Sequence, residues 1–195
     1  LLFIPLAFFL GCDTDDDQED QQPQNQFEVS FGDQIYPLDK GCFYYDGVGN
    51  DSLYYKFDVH LVSSGIGWSH VGPGGSIVVD PKSTEHGISI EFGSANSKQI
   101  SPGSYSIVLK KPMLNECAVF GGVGGEDPDY GEPLFWFDSP DENDGYVLNV
   151  SYYNSQIMLE IVNCMVSYGG TQAESKGNSP LSLYFKGDLV QLYEQ

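Results

Sequence analysis

The chain has 195 residues, with 28 acidic and eight basic side chains, a formal net charge of −20 and no arginine. Affinity for phosphate backbones and bidentate base reading both depend on cations, so nucleic acid is set aside as a partner. Thirteen Tyr, twelve Phe and 23 Gly favour strands and turns over helices.

The first residues, LLFIPLAFFL, are almost wholly apolar and lead directly into Gly11-Cys12. The run is too short for a membrane-spanning helix, which needs roughly 20 apolar residues, but it has the length of the apolar core of a secretory signal. Initiator Met and basic n-region are missing, so residues 1–11 read as a truncated signal peptide. Phe9-Leu10-Gly11-Cys12 resembles a bacterial lipobox, in which a small residue precedes the cysteine that is acylated and becomes the mature N-terminus. Phe9 departs from the strictest version of that box, a looseness common in the Bacteroidetes lineage. The resemblance implies lipidation at Cys12, with the membrane engaged through that lipid.

Residues 13–26, DTDDDQEDQQPQNQ, have Pro23 as their only non-polar side chain. They cannot bury surface to offset ordering entropy, so with Cys12 they are expected to form a disordered acidic tether over 12–26. Its root-mean-square reach would be on the order of 20 Å. The cluster Asp13, Asp15, Asp16 and Asp17 looks like the surface-export signal of Bacteroidetes lipoproteins, although a plain spacer would have the same chemistry. That resemblance implies a lipid-anchored protein of the outer membrane, exposed at the cell surface.

From Phe27 onward the hydrophobic period is two. Leu53, Tyr55, Phe57, Val59 and Leu61 alternate with Tyr54, Lys56, Asp58 and His60, the pattern of a half-buried strand with odd positions inward. Ile88, Ile90 and Phe92 repeat it, and Tyr105, Ile107 and Leu109 follow the turn Ser101-Pro102-Gly103. Tyr146, Leu148, Val150 and Tyr152 form another apolar face. Ile157 to Val166 is more continuously apolar, which suggests a strand covered on both sides. Leu181, Leu183 and Phe185 lead to Gly187, expected as a bulge or kink, before 189–193 close the chain. Shorter strands are expected at 42–45, 76–79, 117–120 and 134–137. Many short strands with turns between them predict one all-β domain over 27–195, an antiparallel β-sandwich or β-barrel.

The runs GISIEFGSANSKQISPGSYSI, GYVLNVSYYNSQIMLEI and LYFKGDLVQLY look like a group of uncharacterised Bacteroidetes lipoproteins. The similarity spans most of 42–193 and consists of turn and strand grammar. It supports the fold and the location and carries no catalytic residue across.

Three cysteines besides Cys12, namely Cys42, Cys117 and Cys164, allow at most one internal disulfide; without a CxxC they read as small buried side chains. His60, His70 and His86 lack metal-ligand spacing and read as surface histidines. GGVGGEDPDYGEP at 121–133 lacks the Lys-Ser/Thr sequel of a phosphate loop and reads as a mobile loop. DSPDENDG at 138–145 offers oxygen donors for Ca²⁺ without EF-hand spacing. GxSxG is absent, and 28 carboxylates make any pairing argument empty. The chain is therefore read as non-enzymatic, with no catalytic residue, metal site or cofactor assigned. Trp68, in the loop-like SSGIGWSHVGPGG, is the candidate ligand contact, whereas Trp136 in LFWF reads as a core strand residue.

The expectation is a lipid-anchored binding or accessory module whose partner is a glycan or a protein. Two alternatives remain: a structural or adhesive subunit assembling by strand addition, and a lipocalin-like carrier of an apolar ligand.

Overall fold

In a computed structural model of the protein, the described residues are 24–29, 34–49, 53–63, 67–68, 77–78, 86–126, 133–139, 144–170 and 177–192. Among them there is no helix. The strands are β1 (Gln26–Val29), β2 (Gln34–Pro37), β3 (Lys40–Val48), β4 (Tyr55–Val62), β5 (Gly67–Trp68), β6 (Ile77–Val78) and β7 (Gly87–Ser94). They continue with β8 (Gly103–Ile107), β9 (Glu116–Glu126), β10 (Pro133–Asp138), β11 (Val147–Tyr153), β12 (Gln156–Gly169), β13 (Gly177–Gly187) and β14 (Leu189–Leu192).

Twelve of these form one sheet, and β5 pairs with β6 separately. β10 bonds to both β9 and β12, closing the ring β9–β8–β11–β12–β10 into a barrel. β9 and β12 each give one edge to this ring and the other to an outer flank. The flank β7–β4–β3–β14 continues from β9, and β13–β1–β2 continues from β12. This is the all-β fold expected, with extra strands outside the ring. Two pairings are parallel, β8 with β9 and β14 with β3; the rest of the sheet is antiparallel.

Period two governs most of the packing. Phe57, Val59 and Leu61 of β4 are buried, as are Ile88, Ile90 and Phe92 of β7. With Phe27, Tyr105, Leu148, Phe137 and Phe185 they fill a continuous core. Each fully buried large apolar side chain contributes roughly 1.5–3 kcal/mol. Phe92 meets Tyr105 edge to face at 5.1 Å, and the Tyr105 hydroxyl donates to the Ser101 carbonyl at 2.8 Å.

Several local expectations are corrected. Leu53 is 71% exposed and precedes β4, while Tyr54 is buried, because Gly49 N donates to the Tyr54 carbonyl and the Tyr54 ring closes over Gly49. β8 stops at Ile107, so Leu109 is exposed and Val108 is buried instead. Tyr152 is likewise partly exposed. β12 is not covered on both sides. A bulge between Ile161 and Cys164, with Asn163 at φ 50°, switches its buried face from odd to even positions and leaves Val162 64% exposed. Gly187 ends β13, and the next residues cross to pair with β3. The described part of the glycine-rich stretch, 121–126, is strand and not loop.

Candidate functional site

In β10, Phe137 points into the core, 1% exposed, so Trp136 and Asp138 point outward. The residues opposite Trp136 in register are Gly122 on β9 and Gly169 on β12. Neither carries a side chain, and the partly exposed indole lies close over the bare strand at Gly169. Trp136 is therefore in a strand, as expected, but on its outer face and not in the core.

Two open clefts, of about 410 and about 400 Å³, flank this residue and share Leu109, Trp136 and Asp138. The first is lined further by Glu91, Lys110, Lys111 and Phe120. The second adds Ser139, Ser167, Tyr168 and Asn178. The backbone here is firmly tied. The buried Ser139 hydroxyl accepts from Val119 N at 2.7 Å and donates to Val119 O at 3.1 Å, joining the end of β10 to β9. Asp138 Oδ1 accepts from Ser139 N at 2.9 Å, and the Ser167 hydroxyl donates to Asn178 Oδ1 at 3.4 Å. An apolar ring bordered by carboxylate, hydroxyl and amide groups can bind a ligand that has one apolar face and many hydroxyls.

A row of titratable groups lies on the same outer surface, across β3, β4 and β7. Asp58 stands opposite Tyr44 on one side and Glu91 on the other. Burial pushes its carboxyl up to about 6; the Tyr44 hydroxyl bonded to it pulls down, and the Glu91 and Asp46 charges push up. His60 is lowered to about 4 by burial. Its Nδ1 is 2.8 Å from Ser89 Oγ, and its Nε2 is buried without a hydrogen-bond partner. Asp58 and His60 lie on the outer face of β4, as expected, but both are only partly exposed there. Among the described residues no three His, Cys, Asp or Glu side chains group as a metal site. A third cleft, of about 260 Å³, lies between Phe43, Lys98, Tyr152 and Asp188.

Of the residues singled out in the sequence, Cys12, Asp13, Asp15, Asp16 and Asp17 lie outside the described residues. Trp68 pairs with Ile77 through its backbone, and its side chain also lies outside the description. Within 138–145, Asp138 borders the clefts, Asp144 is exposed, and 140–143 lie outside the described residues. Trp136 was missed as a surface residue, although the signal was present: period two puts Trp136 and Asp138 on one face and Phe137 on the other. No protein-family model, curated protein or solved structure matches this chain.

Proposed function

We propose that this protein is a lipid-anchored lipoprotein of the bacterial surface that binds glycans without catalysis, through the outward face of β10. The observation that carries the reading is Trp136, an outward indole between two clefts lined by carboxylate, hydroxyl and amide groups. A sugar ring presents C–H groups on one face and hydroxyls around its rim, complementary to that arrangement. Trp136 therefore takes the role that the sequence suggested for Trp68.

The alternatives draw less support. Strand addition favours a long unpaired edge, and the outermost strands β2 and β14 are four residues each, with Pro37 ending β2. A carrier needs interior space, whereas the described core is packed with aromatic and aliphatic side chains.

A glycan array tests the binding role with the parent, Trp136→Ala and Trp68→Ala. We expect Trp136→Ala to lose the signal and Trp68→Ala to retain it; a Trp136→Ala profile equal to the parent's would remove the reading. The anchor is tested separately. Cys12→Ser should abolish labelling by a fatty-acid probe, and Ala at Asp13, Asp15, Asp16 and Asp17 should reduce surface display without unfolding the domain.

A further inference from the structure

Resting on the glycan reading, we infer that the cleft between Trp136 and the Lys110-Lys111 loop accepts an acidic sugar, its carboxylate held by the two ammonium groups.

The chain has only eight lysines against 28 acidic residues, and two of them are adjacent in the lining of one cleft. Both are exposed, and among the described residues neither forms an ion pair; Lys56, by contrast, is bound to Asp46 at 2.7 Å. The loop that carries them is fixed at both ends. Val108 N donates to Cys117 O at 2.8 Å, and Asn115 N donates to Gly93 O at 2.8 Å. Met113 N also donates to the Glu116 carboxylate at 2.9 Å, while Glu116 N donates to Met113 O at 3.0 Å. Val108 and Pro112 are buried on either side of the lysines. The loop passes so close to β7 at Gly93 that a Cβ there would coincide with the Met113 carbonyl. The ammonium groups thus project from a settled backbone, which lowers the ordering cost of a bound anion.

The same cleft contains Glu91 and Asp138, which are acceptors. Their place in the scheme is to accept hydrogen bonds from sugar hydroxyls, which a carboxylate does well and an ammonium cannot. A ligand with hydroxyls, one carboxylate and an apolar ring face uses all three kinds of group. A neutral sugar would leave the lysines unused. A simple polyanion without hydroxyls would meet Glu91 and Asp138 with like charge.

The test uses uronate oligosaccharides from galacturonan, alginate and glycosaminoglycan, each beside its methyl ester, with binding measured by calorimetry at about 0.15 M salt to screen the overall negative charge. We expect at least one acid to bind ten or more times tighter than its ester. Lys110→Gln/Lys111→Gln should erase that difference, and Trp136→Ala should weaken both forms. Equal or tighter binding of the esters would overturn the acidic-sugar inference and leave the Trp136 glycan site standing. A preference for acid that survives the double lysine change would overturn the assignment to this loop. Binding of no acid and no ester would overturn the inference, and with silence of the parent on the glycan array the glycan reading too.

Discussion

The indole of Trp136 lies against the bare backbone of Gly169, its opposite residue on β12, where a Cβ would stand 2.6 Å from indole Cζ2. Tyr168 over Gly177 and Phe137 over Gly121 repeat this pairing of an aromatic ring with a directly opposed glycine. In each pair the ring covers a stretch of strand that carries no side chain of its own. These glycines lie within strands, and each admits a ring closer than any other residue would allow.

Gly169→Ala should therefore displace the indole while leaving the sheet in place. We expect glycan affinity to fall about tenfold or more and stability to fall by about 1–3 kcal/mol, the usual cost of overpacking. Calorimetry and denaturant titration read the two effects separately. Unchanged affinity would mean that the position of Trp136 does not matter to binding.

Phe57→Ala and Lys56→Ala compare the two faces of β4. Phe57 is 1% exposed between Phe43 and Tyr45, so its removal should cost about 3–5 kcal/mol through lost transfer energy plus a cavity. Lys56 makes an exposed ion pair with Asp46, and its loss should cost at most about 1 kcal/mol. Denaturant midpoints compared at constant slope give the answer. Equal losses would contradict the inward direction of the odd positions.

The central strands were legible because alternation in 55–61 and 88–92 reports directly on which face is buried. The expectation failed where a local device resets the phase. The bulge at 162–163 hides a change of parity inside an apolar run, and the hydrogen bond from Gly49 N to the Tyr54 carbonyl goes with an exchange of Leu53 for Tyr54. The parallel pairing of β14 with β3 joins the end of the chain to its first half and leaves no mark in local pattern. The clefts were hidden for a related reason. They require β7, the 108–111 loop, β10, β12 and β13 to meet around Trp136, and no segment of sequence contains that meeting. The glycine-rich run read as a loop for want of side chains; its pairing with β10 supplies Phe137 to cover Gly121.

Cys42, Cys117 and Cys164 are all buried free thiols, so no disulfide joins them. Burial pushes Cys42 and Cys164 up to about 12, and Cys117 is also raised, which keeps the reactive thiolate scarce at neutral pH. With Cys12→Ser, the native domain should take up no alkylating reagent over minutes, and all three thiols should react once it is unfolded. Intact mass after each treatment counts them. Rapid alkylation of the native domain would show that the core opens far more readily than its packing implies.

Asp58 and His60, two residues apart on the outer face of β4, should give stability opposite dependences on pH. Burial is the first cause of both shifts, raising Asp58 from 3.8 to about 6 and lowering His60 from 6.5 to about 4. Between about 4 and 6 the folded chain holds an Asp58 proton that the unfolded chain has released. Its contribution to stability therefore falls as pH rises through that window. Between about 6.5 and 4 the unfolded chain takes up a His60 proton that the folded chain refuses, so that contribution falls as pH falls. At about 1.36 kcal/mol per pKa unit each effect is worth up to about 3 kcal/mol, and in the parent they largely cancel over this range. Asp58→Asn keeps an acceptor for the Tyr44 hydroxyl and removes the buried charge. It should gain stability over the parent above pH 6 and lose that gain by about pH 4. For His60→Gln, stability relative to the parent should instead rise as pH falls from 6.5 to 4. Denaturant titrations of the three proteins at half-unit intervals give the differences, free of the background from other carboxylates. Two difference curves with the same sign of slope would show that at least one of these groups is solvated in the folded protein.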